Sequence, residues 1–139
     1  MGILLDKNVV LDYILVRKPN YDDVVKLINC CLDWKMEIYI AVHSLTAINN
    51  SLKRKFPPDE CQKLLLSVTD FFTVTAAPHN SVVDAINNEK FPDLEDCLQE
   101  KCALEVGADY IVTNNFKDFA ASEIPAVTPA EMIEIICNS

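Results

Sequence analysis

The first short apolar run, Ile3-Leu4-Leu5, has no polar partner at alternate positions, and an acid, Asp6, follows it directly. A strand that buries only one face alternates apolar with polar residues. A run without alternation is buried on both faces, which is the signature of a parallel sheet covered by helices. Similar runs recur in "EIYIA" and "DYIVT", and each is separated from the next by helix-periodic sequence. That order predicts an α/β domain, a three-layer α/β/α sandwich on a small parallel sheet. With 139 residues, half of them apolar, residues 1–139 make one domain with a real core and leave no room for two.

Between the strands the stripes are legible. Val9, Val10, Tyr13 and Ile14 share a helix face after Asn8, which is placed to cap it. Pro19-Asn20 reads as a turn, and Val24, Leu27, Ile28 and Cys31 give the second helix its apolar side. A third helix spans His43 to Lys55, with Ser44 as cap and Leu45, Ile48 and Leu52 inward. A fourth starts near Asp59, "FFTVTAA" alternates as a short strand, and "NSVVDAINN" is a short helix. The next long helix begins near Asp93, with Leu98, Cys102 and Leu104 to Val106 inward and Gly107 just past its end. A last short strand precedes a helix starting at Pro129.

Charge narrows the function. Twelve basic against 21 acidic residues give a net charge of -9, which disfavours nonspecific coating of nucleic acid through phosphate neutralisation. An acidic chain still acts on phosphates when divalent cations supply the positive charge. The six cysteines show no C-x-x-C pair and no zinc-type spacing with histidine, so reduced, mostly buried thiols in a cytoplasmic protein are expected. No signal peptide and no membrane span are expected either.

The acids fall at corresponding places. Asp6 ends the first strand, Asp93, Glu95 and Asp96 open the long helix, and Asn114, Asn115 and Asp118 follow "DYIVT". Parallel neighbours bring these loops to one sheet edge, where clustered carboxylates repel unless a cation joins them. Each residue also has an ordinary use. Asp93 and Asp96 suit a helix N-terminus, Asn8 suits a cap, Asn115 and Asp118 suit turns, and Asp12 reads as a solvated surface charge.

The segments "ILLDKNVVLDYIL", "SLTAINNSLKR", "FPDLEDCLQEKCALEVGADYIVTNNFKDF" and "IPAVTPAEM" together resemble the PIN-domain proteins, a family of metal-dependent nucleases. The similarity runs in order from residue 3 to about residue 134. It implies hydrolysis of RNA with Mg2+ or Mn2+, as in the VapC-like bacterial toxins, which pair with an antitoxin and commonly form homodimers. Carried over by position, Asp6 is a central metal ligand and Asp96 the second, with Asp93 and Glu95 beside it. Asn115 and Asp118 complete the catalytic set. Asn8 supports Asp6 through hydrogen bonds, and Ser44 or Thr46 takes a small-hydroxyl role. Where the family presents a glutamate on the helix after the second strand, this chain has Ala47, with neutral Asn50 one turn on. Asn115 is likewise neutral where an acid is common.

Phosphate contacts fall to Lys53, Arg54 and Lys55, or to Arg17 and Lys18, unless these serve helix C-termini instead. Two functions follow. One is a metal-dependent endoribonuclease, the toxin of a toxin-antitoxin pair. The other is a degenerate PIN domain that binds RNA or protein without catalysis. A response-regulator receiver also clusters acids at strand ends, but its phosphoacceptor strand and lysine pattern are missing.

Overall fold

The computed structural model describes residues 1–138. In chain order the elements are β1 (Gly2–Leu5), α1 (Lys7–Ile14), α2 (Tyr21–Asp33), β2 (Glu37–Ala41), α3 (Val42–Leu52), α4 (Pro58–Phe71), β3 (Thr73–Thr75), α5 (His79–Asn87), α6 (Leu94–Glu105), β4 (Tyr110–Val112), a 3-10 turn (Phe116–Phe119), β5 (Ala126–Val127) and α7 (Pro129–Cys137). The strands form one five-stranded sheet in the order β3-β2-β1-β4-β5, and every pairing is parallel.

Central position explains the unbroken apolar run of β1. It pairs with β2 on one side and β4 on the other, so neither face meets water. Successive residues point to opposite layers. Ile3 and Leu5 join Val9, Val10, Leu27, Ile48 and Met132 under the layer of α1, α2, α3, α4 and α7. Leu4 faces the other way, into Ala85, Cys97, Cys102, Ala103 and Ile111 beneath α5 and α6. The expected three-layer sandwich is the observed fold.

Several local expectations need correction. Asn8 does not cap α1; the extended residue before the helix is Asp6, whose carbonyl accepts from Val9 and Val10 N–H at 3.0 and 3.3 Å. Ser44 does not cap α3, which already begins at Val42, and its side chain is fully buried. On α6 the inward side is Cys97, Gln99, Glu100, Cys102 and Ala103, while Leu104 is exposed. Two buried polar residues on that face disguise its periodicity. Phe72 reaches the core, but Trp34 and Phe71 lie exposed. Gly107 does end α6 with a positive φ of 64°, the conformation glycine adopts without penalty.

The last helix is well started. Thr128 accepts from Glu131 N–H at 3.2 Å, and Glu131 accepts from Thr128 N–H at 3.1 Å, a reciprocal capping box ahead of Pro129. Replacing Leu4 with Ala should cost about 2–5 kcal/mol through the cavity left at the sheet centre. Thr128→Ala should cost about 1 kcal/mol. Urea denaturation of both variants tests that ranking, and equal losses would mean that the two-sided burial of β1 is not the main support.

Candidate active site

β1 is where the strand order reverses, with β2 to one side and β4 to the other. In open α/β sheets the crevice outside the carboxyl ends of such strands is the ligand site. Asp6 stands there, 5 % exposed. Its N–H extends the ladder to Val112 O at 3.0 Å. Its Oδ2 accepts from Thr113 Oγ1 at 2.9 Å, and the same hydroxyl accepts from Asn115 N–H at 3.0 Å. A hydroxyl has one proton to give, so this arrangement suits an ionised Asp6. Gln99 Nε2 donates to Ser44 Oγ at 2.8 Å and points at Asp6 Oδ1 from a long 3.5 Å. Burial raises the Asp6 pKa, and the Thr113 bond works against that rise.

Asp96 approaches from the first turn of α6. Its backbone N–H is capped by Asp93 Oδ1 at 3.1 Å, which is the helix-start role open to Asp93 from the sequence. Burial, followed by the charges of Asp93, Asp6, Asp118 and Glu95, pushes the Asp96 carboxyl from 3.8 up to about 7. Five acids from three separate segments therefore share one electrostatic environment. Glu95 is engaged by Lys7, whose Nζ lies 2.6 Å from Oε1. That hydrogen bond raises the Lys7 pKa.

Beside the acids lies a cleft of ≈ 470 Å3 between α3 and the start of α6, lined by His43, Thr46, Ala47, Asn50, Asp93, Leu94, Glu95 and Leu98. Ala47 and Asn50 both face it, so α3 presents no carboxylate to this cleft. Burial lowers the pKa of the His43 imidazole, and among the described residues its buried Nε2 and Gln99 Oε1 have no hydrogen-bond partner.

The other expected site residues are distributed as follows. Thr46 is exposed on the cleft wall, its hydroxyl donating to His43 O at 2.8 Å. Ser44, read as a substrate contact, has no surface to offer one and instead holds Gln99. Asn8 makes no hydrogen bond to Asp6; Thr113 does that work, and the Asn8 carbonyl accepts from Arg17 at 3.2 Å. Asn115 and Asp118 sit with Asn114, Phe116 and Lys117 around a surface hollow after β4. Lys53 lines a separate groove with Phe56 and Cys61 between α3 and α4, and Arg54 is exposed next to it.

Asp12 corrects another expectation. It is 5 % exposed and not solvated. Arg17 Nε donates to its Oδ1 at 2.8 Å, and Asn114 Nδ2 approaches its Oδ2 at 3.4 Å, tying the loop after β4 to α1. Arg17 is thereby committed to Asp12, and Lys18 to Asp22 at 2.8 Å. Sequence reasoning missed Thr113, Gln99 and Lys7 as partners of the acids. Thr113 closes the apolar run of β4 ahead of Asn114 and Asn115, and Gln99 lies beside Glu100 and Lys101 on α6, so no local pattern marks either as a partner of the acids.

Two carboxylates, Asp6 and Asp96, are hard oxygen donors whose charges repel across the site, and this is the donor chemistry of Mg2+ or Mn2+. Among the described residues no three His, Cys, Asp or Glu side chains are grouped closely enough to hold a metal ion. The fit is therefore to an ion held by one or two carboxylates, with water and substrate phosphate completing its shell, as Mg2+ commonly is.

The sequence matches the PIN-domain family over residues 2–117, and the chain belongs to that family. No curated protein matches it. Among solved structures, VapBC2 from Rickettsia felis bound to a DNA fragment from their promoter is similar at 16 % identity, with a TM-score of 0.68 over 91 % of this chain and 97 % of that one. VapBC-1 from nontypeable Haemophilus influenzae aligns at 14 % identity and a TM-score of 0.68, covering 93 % and 98 %. FitAcB from Neisseria gonorrhoeae aligns at 14 % identity and 0.66, covering 91 % and 97 %. At these identities the likeness is one of fold.

The acid cluster sets a pH dependence. A carboxyl whose pKa rises on folding holds its proton more tightly in the folded state, so its contribution is most favourable below the unfolded value of 3.8. Stability should fall as pH climbs from there to about 7, and level off once both states are ionised. In urea titrations of metal-free protein, Asp96→Asn should flatten that decline and be the more stable protein at neutral pH. An unchanged pH profile in the variant would show that Asp96 does not carry the repulsion.

Proposed function

We propose that this chain is a metal-dependent endoribonuclease of the PIN type, the toxin component of a toxin-antitoxin pair. The observation that carries the reading is the meeting of buried Asp6 and half-buried Asp96 outside the carboxyl ends of β1 and β4. Burial, then the neighbouring acids Asp93 and Asp6, makes ionising Asp96 costly without a cation. Mg2+ or Mn2+ at Asp6 and Asp96 would polarise phosphoryl oxygens and lower the pKa of the attacking water.

The chain's own residues prepare that site. Thr113 fixes the plane of the Asp6 carboxylate and, through Asn115 N–H, the start of the loop that carries Asp118. Gln99, held by Ser44, presents an amide to the other Asp6 oxygen. Asp118 and the Asn115 side chain, both exposed on the β4 side, would meet the substrate there. Thr46 on the cleft wall, with Lys53 and Arg54 beyond it on the same side of the sheet, supplies contacts to the RNA strand.

An antitoxin protein and a second copy of the chain are the partners of this reading, supported by the fold shared with the VapBC and FitAcB structures. Trp34, Phe71 and Ile86 leave exposed apolar surface for such contacts. An RNA substrate and six free cysteines agree with a cytoplasmic location. No helix among the described residues is long and apolar enough to cross a membrane.

With Mn2+ and a mixed RNA substrate, Asp6→Asn should lower cleavage by roughly a hundredfold or more, since it removes a ligand charge at the reacting phosphate. Cleavage at the unaltered rate would contradict the reading.

The second reading, a PIN domain without catalysis that binds RNA or protein, is favoured by one observation: Ala47 and Asn50 occupy the cleft wall where the family resemblance calls for a glutamate. Under it, the unaltered chain cleaves no RNA, and Ala47→Glu raises Mn2+ affinity in calorimetry. No rise would show that position 47 does not face the ion.

A further inference from the structure

One cation is already present among the acids. Lys7 follows Asp6 directly as the first residue of α1, and its Nζ lies 2.6 Å from Glu95 Oε1. Lys7 also feels the charges of Asp6 and Asp96. The two side chains are 29 % and 38 % exposed, and ion pairs with that much solvent contribute little to folding. The pair's consequence is local. It occupies a carboxylate beside Asp96 that would otherwise be available to an ion. Asp93 is occupied too, since one of its oxygens caps the Asp96 N–H.

We propose that the Lys7 ammonium stands in place of a second divalent cation, neutralising Glu95 so that the site takes one metal ion, at Asp6 and Asp96. The inference rests on the metal-binding reading above. Two-ion phosphodiester sites need enough carboxylates to hold both ions, about 3.5–4 Å apart. Here α3 gives none to the cleft, and among the described residues no three His, Cys, Asp or Glu side chains are placed to hold one ion together. A tethered ammonium supplies positive charge at that place without needing to be captured from solution or stripped of six waters. It coordinates no water, but it keeps two N–H donors beyond the one given to Glu95, and these can reach a phosphate oxygen.

The test is calorimetric titration of the full chain with Mn2+ alone, comparing the unaltered protein, Lys7→Met, Lys7→Arg, and Lys7→Met with Glu95→Gln. Melting temperatures of the metal-free proteins, expected to be near one another because the pair is solvated, confirm folding. The number of bound ions should rise by one in Lys7→Met, stay at the original value in Lys7→Arg, and return to it in the double variant. An unchanged count in Lys7→Met would overturn the inference while leaving the Asp6 and Asp96 site standing. A gain that persists in the double variant would overturn the role of Glu95 as the ligand released. No binding by any of the proteins would overturn the metal reading and this inference with it.

Discussion

Asp6 is held between two strands by its own backbone and side chain at once: N–H to the Val112 carbonyl at 3.0 Å, and carboxylate to the Thr113 hydroxyl at 2.9 Å. The rest of the site depends on that double attachment. A carboxylate at 5 % exposure must be hydrogen-bonded or neutralised, and the sheet supplies the bonds only because β4 runs parallel to β1 in the register that sets Leu5 opposite Val112. A slip by one residue would turn Thr113 to the other layer and leave Asp6 without it. The side-chain relay of Ser44 and Gln99 has the same dependence, since it joins α3 after β2 to α6 ahead of β4.

The electrostatic design is a balance of like charges with two kinds of relief. Asp96 is brought to about 7 by burial and four neighbouring acids, and Lys7 neutralises one of those four. Farther out, Arg17 answers the charge on Asp12, so Asp6 just before α1 serves the cleft and Asp12 within it serves the loop after β4. Because Asn114 also reaches Asp12, the segment bearing Asn115 and Asp118 is anchored at both of its first residues. Rigid placement of this loop means that an ion or phosphate arriving at the cleft meets a prepared surface and does not have to order it.

The fold was largely readable because a central parallel strand cannot hide its pattern: Ile3, Leu4 and Leu5 are all buried, and so are Ile38 and Ile40 in β2. The positions of Asp6 just past β1 and of Asp96 in the first turn of α6 were readable for a related reason, as acids placed where strands or helices begin and end. What failed were features decided across the sheet. Asn8 has the chemistry of a cap but lies two residues past the capping position; Ser44 has it too, but the helix starts before it. Asp12 looks solvated along α1 until Arg17 folds back and Asn114 arrives from more than a hundred residues away. Gln99 and Glu100 lie on the buried side of α6, where they break the apolar stripe and shift its apparent face toward Leu104. No local periodicity contains the information that Ser44 and the Glu123 N–H are waiting for them.

The central claim is that Asp6 and Asp96 together hold a divalent cation at the carboxyl edge of the sheet. The most direct measurement is anomalous scattering from crystals of the unaltered protein soaked in Mn2+. The account predicts a peak within coordinating distance of an oxygen of each carboxylate. A peak only at other acids, or none in crystals with the cleft open to solvent, would contradict it.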